Sequence, residues 1–269
     1  MAEARKETEA EAGRWWGVFE LGEGSVGYWR IGPLDLWIRR RQREWRIAAE
    51  RQAEEGREGW ELALSAAEEE VPELEEVTRF ATGATTPTLE LAPILADRTL
   101  VTRPAIPLHL LPGQPVSLFV SSPLWIRIVA GGGSLPLTEV PTTRPPDTWF
   151  GPTTTEGELC YGSRTSARLQ EEELPHRAHR AITEVRLRNP GSTDLLLERL
   201  GLPLPHLPLY WHRDRGFGTP RITVEQETPE ELARVKIGDR APFEEAELVS
   251  PARTAGPKNL LVRALGGLL

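Results

Sequence analysis

Proline and glycine interrupt this chain so often that long helices are excluded. There are 24 of each among 269 residues, and neither sits in a helix interior without cost. Between them lie short apolar runs, the pattern of an all-β protein with many turns. No G-x-y period exists, so the chain is not collagen-like. Leu, Ile, Val and Trp recur throughout, which excludes wholesale disorder, and a chain of this length can bury a substantial core.

The first runs read as an antiparallel meander. Trp16–Glu20, Val26–Ile31, Leu34–Arg39 and Trp45–Ala48 are separated by Gly22-Glu23-Gly24, by Gly32-Pro33 and by the polar turn Arg41–Glu44. Within the third run Leu34, Leu36 and Ile38 fall on one face, with Asp35, Trp37 and Arg39 on the other. Farther on, Trp60, Leu62, Leu64, Ala67, Val71 and Leu74 are spaced for a short helix over 58–70 that Pro72 interrupts.

The β pattern resumes after Phe80, with strands expected at 88–91, 100–103, 106–110, 116–120, 124–129, 158–161, 182–188, 195–200, 207–210 and 222–226. Prolines 87, 93, 104, 107, 112, 115 and 123 cannot sit inside central strands and so mark ends, edges and turns. Glu184–Arg199 reads as a hairpin around Asn189-Pro190-Gly191-Ser192. Residues 130–157 read as a long connection around Trp149-Phe150-Gly151, and Pro229–Arg234 as a short helix capped by Thr228. The expected fold is therefore all-β: an antiparallel meander plus an immunoglobulin-like or jelly-roll-type β-sandwich, with minor helix. The expected organisation is a disordered tail over 1–13, the meander over 14–90 with an acidic insert at 52–76, the sandwich over 91–249, and a linker with an apolar tail over 250–269.

The net charge of −8 is local. Residues 52–76 hold ten Glu and one Arg and sum to −9, whereas 14–51 sum to +3. Overall acidity therefore says little about partners, and the acidic insert is expected to neutralise the arginines before it. No apolar run approaches the length of a membrane span, and the first residues lack the apolar core of a signal peptide. Cys160, the single cysteine, forms no intrachain disulfide. A cytoplasmic soluble protein is the expectation.

The middle of the chain carries a recognisable order of blocks: Leu111-Pro-Gly113, Ser122-Pro-Leu-Trp125-Ile-Arg127, Asp147-Thr-Trp149-Phe-Gly151, Gly157-Glu-Leu-Cys-Tyr161, then Asn189 and Leu197-Glu-Arg199-Leu-Gly-Leu-Pro203. Over residues 14–245 this set resembles an uncharacterised prokaryotic family, domain of unknown function 432. The resemblance implies no activity, cofactor or catalytic residue.

Candidate chemistry is sparse. Cys160, His176 and His179 could supply three metal ligands or a Cys/His pair, but Glu171–Glu173, Arg177 and Arg180 favour a solvated charged loop there. No G-x-S-x-G elbow is present, and Gly131–Ser134 lacks the Lys-Ser/Thr of a phosphate loop. Arg39, Arg40, Arg41, Arg43 and Arg46 beside Trp37 and Trp45 could contact nucleic acid, which the −9 segment that follows directly disfavours. Trp37, Arg39, Arg41 and Trp149 form a candidate surface for a small ligand or glycan. Leu260, Leu261, Leu265, Leu268 and Leu269 form a candidate partner-binding tail, with Leu261, Leu265 and Leu268 on one helical face. That tail would pack on its own domain or a second copy, dock on another protein, or touch a membrane surface weakly. No cofactor or resident metal is expected. The expected function is a non-enzymatic interaction or assembly module, the alternatives being a ligand-binding sandwich using exposed Trp or a Cys/His metal-dependent enzyme.

Overall fold

Alternation of large apolar and polar residues builds the first sheet. The computed structural model describes residues 13–65, 77–151, 153, 155–228, 232–255, 259–262 and 265–266. Strands β2 (Val26–Ile31), β3 (Leu34–Arg41) and β4 (Glu44–Arg51) form the expected meander, extended by β5 (Trp60–Ser65) and β6 (Val77–Ala81) into the order β5-β2-β3-β4-β6. Leu34, Leu36 and Ile38 are fully buried, each side chain contributing about 1.5–3 kcal/mol. Gly32 closes the β2–β3 turn with φ +57°. In β5, the helix expected over 58–70 gives way to a strand: Trp60, Leu62 and Leu64 also alternate with period two, and β2 supplies a partner in register, Trp29 opposite Leu62. Residues 66–76 lie outside the described residues, as do 1–12.

A second sheet takes the order β1-β7-β11-β12, from β1 (Gly17–Glu20), β7 (Thr88–Ile94), β11 (Trp125–Ala130) and β12 (Leu135–Pro141). Phe19 of β1 meets Trp29 of β2 edge to face, with centroids 5.3 Å apart, so the two sheets pack as a sandwich. Pro136 and Pro141 occupy β12, which among the described residues pairs only with β11. Pro93 lies inside β7, past Leu91, where the pairing with β1 ends, so among the described residues no strand on that flank asks for its missing N–H. These sheets make up one unit, residues 1–94, 124–143 and 177–179. The chain thus does not divide once at 90/91: β11 and β12 return to complete a sheet begun by β1 and β7.

The second unit, residues 95–123, 144–176 and 180–269, holds the remaining strands. One sheet orders β13 (Asp147–Phe150), β14 (Glu158–Gly162), β8 (Leu100–Thr102), β17 (Arg199–Leu202) and β24 (Leu265–Gly266), and a small pair joins β9 (Leu108–Leu110) to β16 (Leu195–Leu197). The connection expected over 130–157 therefore contains β12 and β13. The expected 184–199 hairpin does not form, because β16 pairs with β9, far earlier in the chain, rather than with β15 (Arg180–Arg188).

The largest sheet is centred on β15. On one side lies β10 (Val116–Pro123), antiparallel over eight residue pairs. On the other side β19 (Gly216–Gly218) and β20 (Ile222–Glu225) run parallel to it in succession. Pro220 separates β19 from β20, and the buried hydroxyls of Thr183 and Thr219 meet at 2.8 Å beside that break. Beyond β19 come β18 (Leu209–His212) and β22 (Glu247–Ser250); beyond β20 come β21 (Ala233–Ile237) and β23 (Asn259–Val262). Residues 233–234, expected in a helix, are strand because Ala233, Val235 and Ile237 alternate into the core. The described part of the C-terminal segment is likewise strand, hydrogen-bonded to β21 and β17, and not a helical face. Among the described residues no helix is long and apolar enough to cross a membrane.

Candidate functional site

The outer face of the largest sheet lines a cleft of about 730 Å³. Its inner face is apolar: Val185, Leu187, Ile222, Val224 and Val235 are fully buried. Strand parity then sends Glu184, Arg186 and Arg188 of β15, Arg221 just before β20, Thr223 and Glu225 of β20, and Arg234 and Lys236 of β21 outward, and all of these except Arg186 line the cleft. The loop Gly238–Phe243 forms another wall, and Phe119, Ile182 and Pro242 add apolar surface. The lip is braced by Arg215, whose guanidinium lies 4.5 Å from the Phe243 ring centroid and donates to Glu171 at 2.6 Å.

Register orders these side chains in rows across the sheet. Arg188 is opposite Glu225, and Glu225 is opposite Arg234. Arg186 is opposite Thr223, Thr223 opposite Lys236, and Lys236 opposite Asn259 of β23. Next to that row, Arg221 Nε donates to Glu184 Oε2 at 2.6 Å. Arg188 Nη1 donates to Glu225 Oε1 at 3.2 Å. Those exposed pairs add about 0–1 kcal/mol each, but they settle the charge in two rows. The row through Thr223 holds cations and no acid.

Arg186, Arg234 and Lys236 form no ion pair among the described residues. Sheet strands are about 4.8 Å apart, so Arg186 and Lys236 stand about 10 Å apart with only a hydroxyl between them. Like charges gathered on one sheet face are destabilising unless a counter-charge is supplied. Chemically the cleft can hold an anion; no His or Cys is among the described residues that line it.

The residues singled out from the sequence are placed elsewhere. Cys160 is fully buried on β14 beside Val101 and Phe150, and burial first, then the Glu158 carboxylate, push its thiol pKa up to about 12. Such a thiol is protonated at neutral pH. His176 is exposed in the second unit, whereas His179 is fully buried in the first, with Nε2 at 3.5 Å from Glu54 Oε1. Among the described residues no three His, Cys, Asp or Glu side chains gather where a metal could sit. The solvated loop expected over 171–180 ends at His176: Arg180 is buried and donates to Ser121 Oγ and Ser121 O, both at 2.8 Å.

Trp37 is half-buried against Tyr28, with ring centroids 5.3 Å apart. Arg39 and Arg41 are half-buried on the same strand, and Arg41 lies 3.9 Å from Glu44. Arg46 and Arg79 each close on Glu44 at 2.5 Å, and Arg79 first, then Arg46, lower its pKa. Glu44 at the hairpin turn therefore does what the acidic insert was expected to do for Arg46. Trp149 is 41% exposed on the edge strand β13, opposite exposed Leu159, with its indole N–H donating to Thr153 O at 2.7 Å.

Of the C-terminal leucines, Leu260 is opposite Val235 and Leu261 opposite Arg234 in the β21–β23 ladder, and Leu265 is opposite Leu200. Leu268 and Leu269 lie outside the described residues. None of the cleft residues stands out singly in the sequence. The signal available there is charge alternating with period two in Glu184-x-Arg186-x-Arg188, Arg221-x-Thr223-x-Glu225 and Arg234-x-Lys236.

Comparison with curated proteins and with solved structures finds no match. A family model covers residues 15–268, including the C-terminal segment beyond the stretch that carries the sequence resemblance. The chain belongs to the family described as "Protein of unknown function (DUF432)".

Proposed function

We propose that the protein is a non-enzymatic interaction module that binds an acidic segment of a protein partner at the unpaired cations Arg234 and Lys236 in the cleft of its second unit. One observation carries this: Arg234 and Lys236, two exposed cations of the sheet face that lines the cleft, form no ion pair among the described residues, in a chain whose net charge is −8. A local cationic field on an acidic protein favours encounter with a complementary partner. The C-terminal segment belongs to this function through β23, which brings Asn259 to the cleft.

The test is fluorescence anisotropy of a fluorescein-labelled Glu-rich peptide with the full chain and with the double variant Arg234→Glu/Lys236→Glu. Both residues are exposed, so the variant keeps the core intact. Binding by the native protein, weakened about tenfold or more in the variant and falling with salt, is expected. Equal binding by the two proteins, or none by either, overturns the proposal.

A second reading rests on Trp149, whose exposed ring offers a stacking surface for a sugar. Quenching of tryptophan fluorescence by oligosaccharide, lost in Trp149→Ala, would support it; unchanged fluorescence across neutral oligosaccharides would remove it.

A further inference from the structure

The sheet face that lines the cleft carries a row unlike its neighbours, three of its four residues in the cleft lining. Moving across the sheet, the row through Glu225 reads cation, acid, cation, and on the far side of the Thr223 row Arg221 is matched by Glu184. The row through Thr223 reads Arg186, Thr223, Lys236, Asn259: a guanidinium, a hydroxyl, an ammonium and an amide. Every one of these groups can donate a hydrogen bond. Arg234 adds a further cation two residues before Lys236 on the same face of β21.

We infer that Thr223 is the centre of a subsite for a phosphoryl group carried on the acidic partner, an inference that rests on the function proposed above. Charge and donor count choose between anions. A carboxylate brings one charge and two oxygens, and would leave at least one of the flanking cations unmatched. A phosphomonoester brings a charge of about −1.5 to −2 and three acceptor oxygens. Those oxygens can be shared among the Thr223 hydroxyl, the Lys236 ammonium, the Arg186 guanidinium and the Asn259 amide, the first three on neighbouring strands. Glu225 and Glu184, already engaged by Arg188 and Arg221, lie on either side and favour one phosphoryl group over a continuous run of them.

The experiment compares three fluorescein-labelled peptides of one acidic sequence, carrying serine, glutamate or phosphoserine at a single central position. Each is titrated with the full chain and with Thr223→Val, which keeps the β-branched shape and removes the hydroxyl. The phosphoserine peptide is expected to bind native protein about tenfold more tightly than the other two, and most of that preference is expected to vanish in Thr223→Val while the serine peptide binds both proteins alike. Three peptides binding native protein within twofold of one another overturn the phosphoryl subsite and leave the acidic-partner function standing. Failure of all three to bind overturns both. A preference that Thr223→Val preserves in full also overturns the subsite, since the phosphate would then be held elsewhere.

Discussion

Gly32 lies against the imidazole of His179: a Cβ built on Gly32 would stand 2.1 Å from Nδ1. The two residues are far apart in sequence but share the first unit. At φ +57° Gly32 also turns the chain from β2 into β3 in a conformation that L side chains rarely adopt. Gly32→Ala is therefore expected to lose about 2–4 kcal/mol, from the left-handed backbone and the overpacking together. Urea unfolding of the purified variant measures it; a loss below about 0.5 kcal/mol would contradict the contact.

Asp35 is the buried acid of the first sheet. It accepts hydrogen bonds from Arg57 Nη2 at 2.5 Å and Tyr28 Oη at 2.7 Å. Asp35→Ala leaves a partly buried guanidinium without its carboxylate, and a loss of about 2–4 kcal/mol is expected. The double variant Asp35→Ala/Arg57→Met should recover part of that loss, as a double-mutant cycle in denaturant would register.

Alkaline pH should destabilise the protein through two groups. Burial, followed by the hydrogen bond to Asp35, raises the Tyr28 pKa to about 12 from an ordinary 10.0. Burial raises Cys160 to about 12 from an ordinary 9.0. Between the ordinary and raised values the unfolded chain has released protons that the folded chain retains, so stability falls as pH rises. The Cys160 contribution is fully present below about pH 9 and the Tyr28 contribution below about pH 10; both are lost as pH rises toward about 12. Native Cys160 should not react with a thiol reagent at pH 8 and should react fully in denaturant, and Tyr28→Phe should flatten part of the alkaline decline seen by thermal melting.

The C-terminal segment is expected to act first as a sheet edge. β23 pairs with β21 from Lys236–Asn259 to Ala233–Val262. Truncation after residue 255 removes that strand and turns β21 into an edge, so amide exchange over 233–237 should accelerate. It also removes Asn259, and the truncated protein should lose affinity for the anionic peptides. Unchanged exchange over 233–237 would contradict the pairing.

The meander was legible because its evidence is local: Gly and Pro at the turns and apolar alternation between them, as in Leu34, Leu36 and Ile38. Where evidence is non-local the sequence pattern misleads. Trp60, Leu62 and Leu64 fit period two as well as a helix, and only pairing with β2 decides. Asn189-Pro190-Gly191 is good turn chemistry, yet Leu195–Leu197 finds its partner at Leu108–Leu110. The acid-free row on the sheet face of the cleft was hidden for the same reason. Arg186, Thr223, Lys236 and Asn259 come from four strands spread over more than seventy residues of sequence, and their row exists only in the register. Cys160, conspicuous as the lone cysteine, is simply an inward-facing residue of β14.

Hydrogen–deuterium exchange of the full chain, with and without saturating Glu-rich peptide, reports where the anion binds. Slowed exchange confined to 222–225, 233–243 and 259–262, abolished by Arg234→Glu/Lys236→Glu, is expected. Protection elsewhere with those segments unchanged would contradict binding there.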